Sequence, residues 1–130
     1  MKKIMTLSIL LLSFLTINTF AQETKKLTDG EMKTYYLVLL KKGNNRSQDS
    51  VTAMQIQTGH MAHINKMAAD GKLNIAGPCL DDSDLRGIFI LNVTSLEEAK
   101  ALTEADPAVK AGRLIMEVHP WMSQKGASLK

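Results

Sequence analysis

An α+β fold with the element order βαββαβ, a four-stranded antiparallel sheet carrying two helices on one face, is predicted by three features of this 130-residue sequence. Short β-rich apolar runs are interleaved with two stretches of helical periodicity, in the order strand, helix, strand, strand, helix, strand. Each helical stretch is bounded by capping residues. The runs over residues 35–40 and 88–91 are apolar without alternation, which marks them as strands covered on both faces. This order is the split-βαβ, or ferredoxin-like, pattern.

"KTYYLVLLKKG" (33–43) has polar ends around a β-rich apolar centre and predicts the first strand. "NNRSQDS" (44–50) carries turn chemistry, with Asp49 or Ser50 able to cap a helix. Residues 51–70 predict the first helix, and Gly71 stands just past its last turn, where glycine commonly closes a helix. "KLNIAGPCL" (72–80) is a short strand ending at Gly-Pro, "DDSD" (81–84) a polar loop, and "RGIFILNV" (86–93) the third strand. Ser95 opens the second helix through a capping box: its hydroxyl accepts from the Glu98 amide while the Glu98 carboxylate reaches back to the backbone of Ser95. Leu96, Ala99 and Leu102 form that helix's apolar stripe. It must stop by Asp106, because a residue before proline is pushed out of the helical region. "PAVKAG" (107–112) predicts one further turn, "RLIMEVHPW" (113–121) the last strand, and residues 123–130 a polar tail.

Two short helices cover one face of such a sheet. The uninterrupted apolar strands therefore call for a cover on the other face, and a second copy of the same sheet is the economical one, giving a homodimer through the sheet face.

The N-terminus reads as a secretory signal peptide over residues 1–21. Lys2 and Lys3 precede an apolar stretch too short to span a bilayer, and Thr19-Phe20-Ala21 offers a small-x-small cleavage site. Residues 22–32 follow as a flexible polar tail, leaving one domain over residues 33–122. An exported protein, periplasmic or secreted, without a membrane segment after cleavage is expected. The chain has 16 Lys+Arg and 13 Asp+Glu; losing the leader's two lysines leaves 14 against 13. With that near-neutral balance, no basic block and few aromatics, nucleic-acid binding has no support. Cys79 is the lone cysteine, so no internal disulfide forms; it reads as a small apolar side chain, with a reactive or intermolecular role left open.

Chemistry concentrates in "GHMAHINKMAADGKLNIAGP" (59–78). On helical geometry Met61, Ile64, Met67 and Ala68 define a stripe toward the sheet, with His60 about 40° from its centre and His63 about 100° away. His60 should be half-buried and His63 close to solvent. His60 is then either a core-edge histidine bonded to a backbone carbonyl or an acid–base group. A metal site from His60 and His63 is a third possibility, but two ligands do not close a zinc site and no partner set accompanies them. Gly59 weakens the helix and could admit close approach of a loop or ligand. Asp106-Pro107 reads as a helix N-cap with proline at the first helical position, compatible with a catalytic carboxylate. Asp81, Asp82 and Asp84 lack the spacing of a calcium loop and read as a solvated turn. Tyr36 on the first strand, Pro78 after the second, and Trp121 beyond the last, with His119 beside it, are the candidates to touch a ligand. No nucleophile elbow, phosphate loop or dinucleotide fingerprint is present, so no cofactor is expected.

The helix histidine, Gly-Lys-Leu, Ala-Gly-Pro, "SLEEAKAL" and "EADPAVKAG", in this order and spacing, resemble the YciI (YCII-related) family across roughly residues 34–121. The resemblance implies a ferredoxin-like unit that pairs sheet to sheet into a dimeric α/β barrel. It also implies a histidine–aspartate pair in a pocket; the matching residues are His60 and Asp106. Relatives include enzymes that eliminate chloride from chlorinated hydroxyquinones, and the wider superfamily includes lactone isomerases and monooxygenases. The export signal, the N-terminal tail and the short loop after Gly-Pro depart from the usual pattern. Asp106 could hold one imidazole nitrogen and leave the other to move a proton near neutral pH. The expectation is an exported, cofactor-independent enzyme of lyase or isomerase type acting on a small organic molecule. A non-catalytic ligand-binding or structural homodimer is the alternative.

Overall fold

The structure is a computed structural model that describes residues 30–130. The signal peptide expected over residues 1–21 and most of the tail expected over 22–32 lie outside the described residues. The elements are β1 (Met32–Lys42), α1 (Ser50–Ala69), β2 (Leu73–Pro78), β3 (Leu85–Leu91), α2 (Leu96–Glu104), α3 (Pro107–Lys110) and β4 (Leu114–Gln124). The four strands form one antiparallel sheet in the order β2-β3-β1-β4. This is the ferredoxin-like α+β fold, with the one-turn α3 added after α2. Among the described residues no helix is long and apolar enough to cross a membrane.

The order places β1 and β3 in the middle of the sheet, and both carry apolar residues on either face. Tyr36, Val38 and Leu40 of β1 meet Phe89 and Leu91 of β3 under the helices, where Met67 of α1 and Ala99 of α2 close over them. Val38 and Leu91 are fully buried, each worth about 1.5–3 kcal/mol relative to exposure. The alternate residues of the same register, Leu37 opposite Ile90 and Leu39 opposite Ile88, face away from the helices.

The strand ends differ slightly from expectation. Met32, assigned to the tail, is the first residue of β1, and β4 runs on to Gln124, so Ser123 and Gln124 belong to the sheet rather than to the C-terminal tail. They pair with Lys33 and Met32. The Lys125 amide then donates to the Glu31 carbonyl at 2.8 Å, closing the end of this ribbon.

The caps follow the sequence. Asp49 accepts from the Thr52 amide and hydroxyl at 2.9 and 2.8 Å, and Gly71 takes φ 70° past the end of α1. Ser95 accepts from the Glu98 amide at 3.1 Å, but the Glu98 carboxylate reaches Thr94, amide and hydroxyl, instead of Ser95. Lys72, 2.9 Å away, together with those Thr94 bonds, holds the Glu98 carboxyl below the usual carboxylate range.

The buried stripe of α1 is not the one expected. His60 and Met67 are buried and Ile56 and Ile64 half-buried, whereas Ala68 is exposed and Met61 is 45% exposed. The helix is turned by roughly half of the 100° step between residues. Apolar patterning leaves histidine out of a stripe; once a carboxylate waits for the ring, the imidazole becomes part of the buried face.

Candidate active site

Two local signals deliver the central pair. Pro107 keeps the residue before it out of the helical region, so α2 ends at Glu104 and Asp106 takes an extended conformation (φ −64°, ψ 128°) and caps the single turn of α3. Its Oδ1 accepts from the Ala108 amide at 2.7 Å. Its Oδ2 lies 2.7 Å from Nδ1 of His60, which α1 presents from the opposite side. Asp106 is fully buried and His60 only 7% exposed.

The approach of α1 to α3 depends on Gly59. A Cβ built there would stand 3.1 and 3.2 Å from Cγ and Cβ of Pro107, tighter than an ordinary contact. Alanine would raise helix propensity by about 1 kcal/mol while pushing α3, and with it Asp106, away from His60. We expect Gly59→Ala to leave the melting temperature close to that of wild type while loosening the His60–Asp106 contact. Broadening or loss of the bonded Nδ1 proton in the NMR spectrum measures this, and an unchanged signal would mean that α3 yields without cost.

Both oxygens of Asp106 act as acceptors. Nδ1 of His60 therefore carries the proton, and the lone pair of the neutral ring sits on Nε2. No buried side-chain nitrogen or oxygen is without a partner among the described residues, yet Nε2 bonds to no protein atom there. It is open to a cavity of about 520 Å³ between α1 and the sheet, whose wall includes His60. The volume lies in the range of small-molecule sites. The ring stacks on Phe89 with centroids 6.3 Å apart and planes 23° apart, which fixes its orientation.

The other candidates divide. Pro78 lines the same cavity. Tyr36 does not; it is packed in the core beneath the helices. Trp121 lies on the opposite sheet face, its ring centroid 6.3 Å from that of Tyr35, beside a smaller hollow bordered by residues 127–129. Sequence position alone does not say which face a strand residue takes, and one-residue alternation sends Trp121 away from His60. His119 shares that face, with Nε2 3.8 Å from Glu117. His63 is not near-solvent as expected: it is half-buried, with Nε2 2.8 Å from the Leu102 carbonyl. His60 and His63 are thus committed to different partners, and among the described residues no group of three His, Cys, Asp or Glu is placed to hold a metal. Cys79 is a half-buried free thiol.

Several wall residues were not singled out in the sequence: Phe89 and three arginines, Arg46, Arg86 and Arg113. A signal was available, since the topology brings the end of β1 and the beginnings of β3 and β4 to one end of the sheet, and each arginine stands near one of those points.

A family model described as the YCII-related domain matches residues 34–122. The uncharacterized protein YjpA of Bacillus subtilis (strain 168) is 28% identical over 90 residues, which cover 69% of this chain and 96% of that protein. Among solved structures, the chain is similar to the 5-chloro-2-hydroxyhydroquinone dehydrochlorinase of Burkholderia phenoliruptrix AC1100 in complex with 2,5-dihydroxybenzoquinone. That likeness has 26% identity and a TM-score of 0.48, covering 66% of this chain and 92% of the other.

Proposed function

The chain belongs to the YCII-related family, and from that premise we propose that it is an exported enzyme of lyase or isomerase type that acts on a small organic molecule by proton transfer through His60. The observation that carries this reading is the 2.7 Å contact between His60 Nδ1 and the fully buried Asp106, with Nε2 left for the cavity. Asp106 selects the tautomer and steadies the positive charge that forms when the ring takes a proton.

The step follows from those groups. Nε2 removes a proton from a carbon beside a carbonyl, and the C–H electron pair moves onto the carbonyl oxygen as an enolate. The enolate then either expels a leaving group from the neighbouring carbon, which departs with its electron pair, or takes the proton back at a different carbon from the imidazolium. Neither course involves a net oxidation or reduction of substrate or protein, so this chemistry needs no redox cofactor. General acid–base assistance of this kind contributes about 10²–10⁴-fold.

The test is carbon-bound proton exchange in D₂O, followed by NMR, with hydroxyquinones and unsaturated lactones. Exchange or turnover that requires His60 supports the enzyme. Saturable binding of a panel member without exchange or turnover would identify a ligand-binding protein instead.

The proposal includes a homodimer through the open sheet face. Leu37, Leu39, Ile75 and Ile88 are only half-buried there, Ile115 is 46% and Trp121 40% exposed, and a face this apolar is costly to leave in water. Sedimentation should give twice the mass of the processed chain, and Leu39→Asp should return it to the monomer. A monodisperse wild-type monomer at micromolar concentration would overturn the dimer. Export is checked by the mass of secreted or periplasmic protein, which should begin at Gln22.

A further inference from the structure

Arg46, in the segment before α1, Arg86 in β3 and Arg113 just before β4 all border the cavity that His60 faces. Each guanidinium is positioned by a neutral acceptor. Arg113 Nη1 donates to Gln48 Oε1 at 2.7 Å, Arg46 Nη1 to the Arg113 carbonyl at 3.1 Å, and Arg86 Nη1 to the Ser83 carbonyl at 3.3 Å. None of the three enters an ion pair among the described residues. Among the described residues no carboxylate borders the cavity; Asp106 lies behind His60 with both oxygens engaged.

Arginine keeps its charge at every working pH, so three permanent positive charges border one recess with no anion beside them among the described residues. A recess concentrates the field that such charges set up. Each guanidinium has five N–H donors, and most of them remain for a guest. Apart from Gln57 and His60, the rest of the wall is largely apolar, with Leu40, Ile56 and Phe89.

We propose that the ligand of this cavity is a flat organic oxyanion, a carboxylate or phosphate on an apolar body, with the anionic group on the arginines and the body beside Phe89 and His60. The proposal rests on the acid–base reading of His60 and supplies its substrate class. Forked N–H donors fit carboxylate and phosphate oxygens equally well. Binding energy from an anionic group remote from the reacting carbon would hold that carbon against Nε2.

The test titrates benzoate, phenyl phosphate and neutral benzamide into the purified protein by calorimetry, at low and high salt. At least one anion should bind more tightly than benzamide, with an affinity that falls as salt rises, and the two anion arms tell carboxylate from phosphate. Arg46→Gln, Arg86→Gln and Arg113→Gln should each weaken that anion by about tenfold, while benzamide changes little. Melting curves identify any variant that fails to fold, and the remaining two then carry the comparison. Equal affinity for benzamide, no binding of either anion at about 10 mM, or indifference to all folded arginine variants would overturn the proposal. Anion binding with no detectable proton exchange would leave the ligand class standing and remove the enzyme.

Discussion

Asp106→Ala is expected to lower the unfolding free energy by about 2–5 kcal/mol. The cap on α3 contributes about 1 kcal/mol, and removing the acceptor of a buried Nδ1 proton costs about 1–3 kcal/mol more, before any loss from the vacated space. In a domain of this size, that lowers the melting temperature by more than about 10 °C. Asp106→Asn separates the two roles of the carboxylate. An amide has one acceptor oxygen, whereas both Asp106 oxygens are in use, on Ala108 and on His60. The arrangement that keeps both contacts leaves the amide oxygen on Ala108 and turns the NH₂ toward Nδ1, which must then accept. The proton moves to Nε2, where the base should be. Asp106→Asn should therefore melt much closer to wild type than Asp106→Ala, lose about 10²–10⁴-fold in turnover, and show exchanged ring-nitrogen roles in ¹⁵N NMR spectra. An Asn variant with wild-type turnover would remove the tautomer argument.

His60→Gln should abolish proton exchange, by about 10²–10⁴-fold, while keeping the fold. The glutamine amide can donate to Asp106 Oδ2 in place of Nδ1–H, so the buried carboxylate stays satisfied, but no side chain then offers a basic nitrogen to the cavity. His60→Ala would not make this separation, because it strands the charge of a fully buried Asp106. The pair of measurements is a melting curve and the D₂O exchange rate. Residual exchange within about tenfold of wild type would show that another group moves the proton.

These effects rest on residues the sequence exposes unequally. The strand and helix order, the Ser95 and Asp106 caps, a cap at Asp49 or Ser50 and the break before Pro107 were legible, because each is a local preference of neighbouring residues. The apolar character of both faces of β1 and β3 was legible too, since it is written in their uninterrupted apolar runs. The rotation of α1 was not. Met61 and Ala68 outrank histidine on any hydrophobic scale, and only a carboxylate from 46 residues away makes the inside of the helix the better place for His60.

The sequence by itself determined the ferredoxin-like element order and its caps, and by resemblance it singled out His60 and Asp106. Tertiary structure alone decided that one Asp106 oxygen is kept for α3 and the other for His60, that Tyr36 is core, and that Trp121 lies on the far face of the sheet. It also brought three arginines from separate segments to one cavity. Local order is set by φ/ψ preference and by side chains reaching neighbouring backbone groups, interactions that span a few residues. Which strand face turns inward, and which charges meet across the fold, depends on register and packing between segments dozens of residues apart.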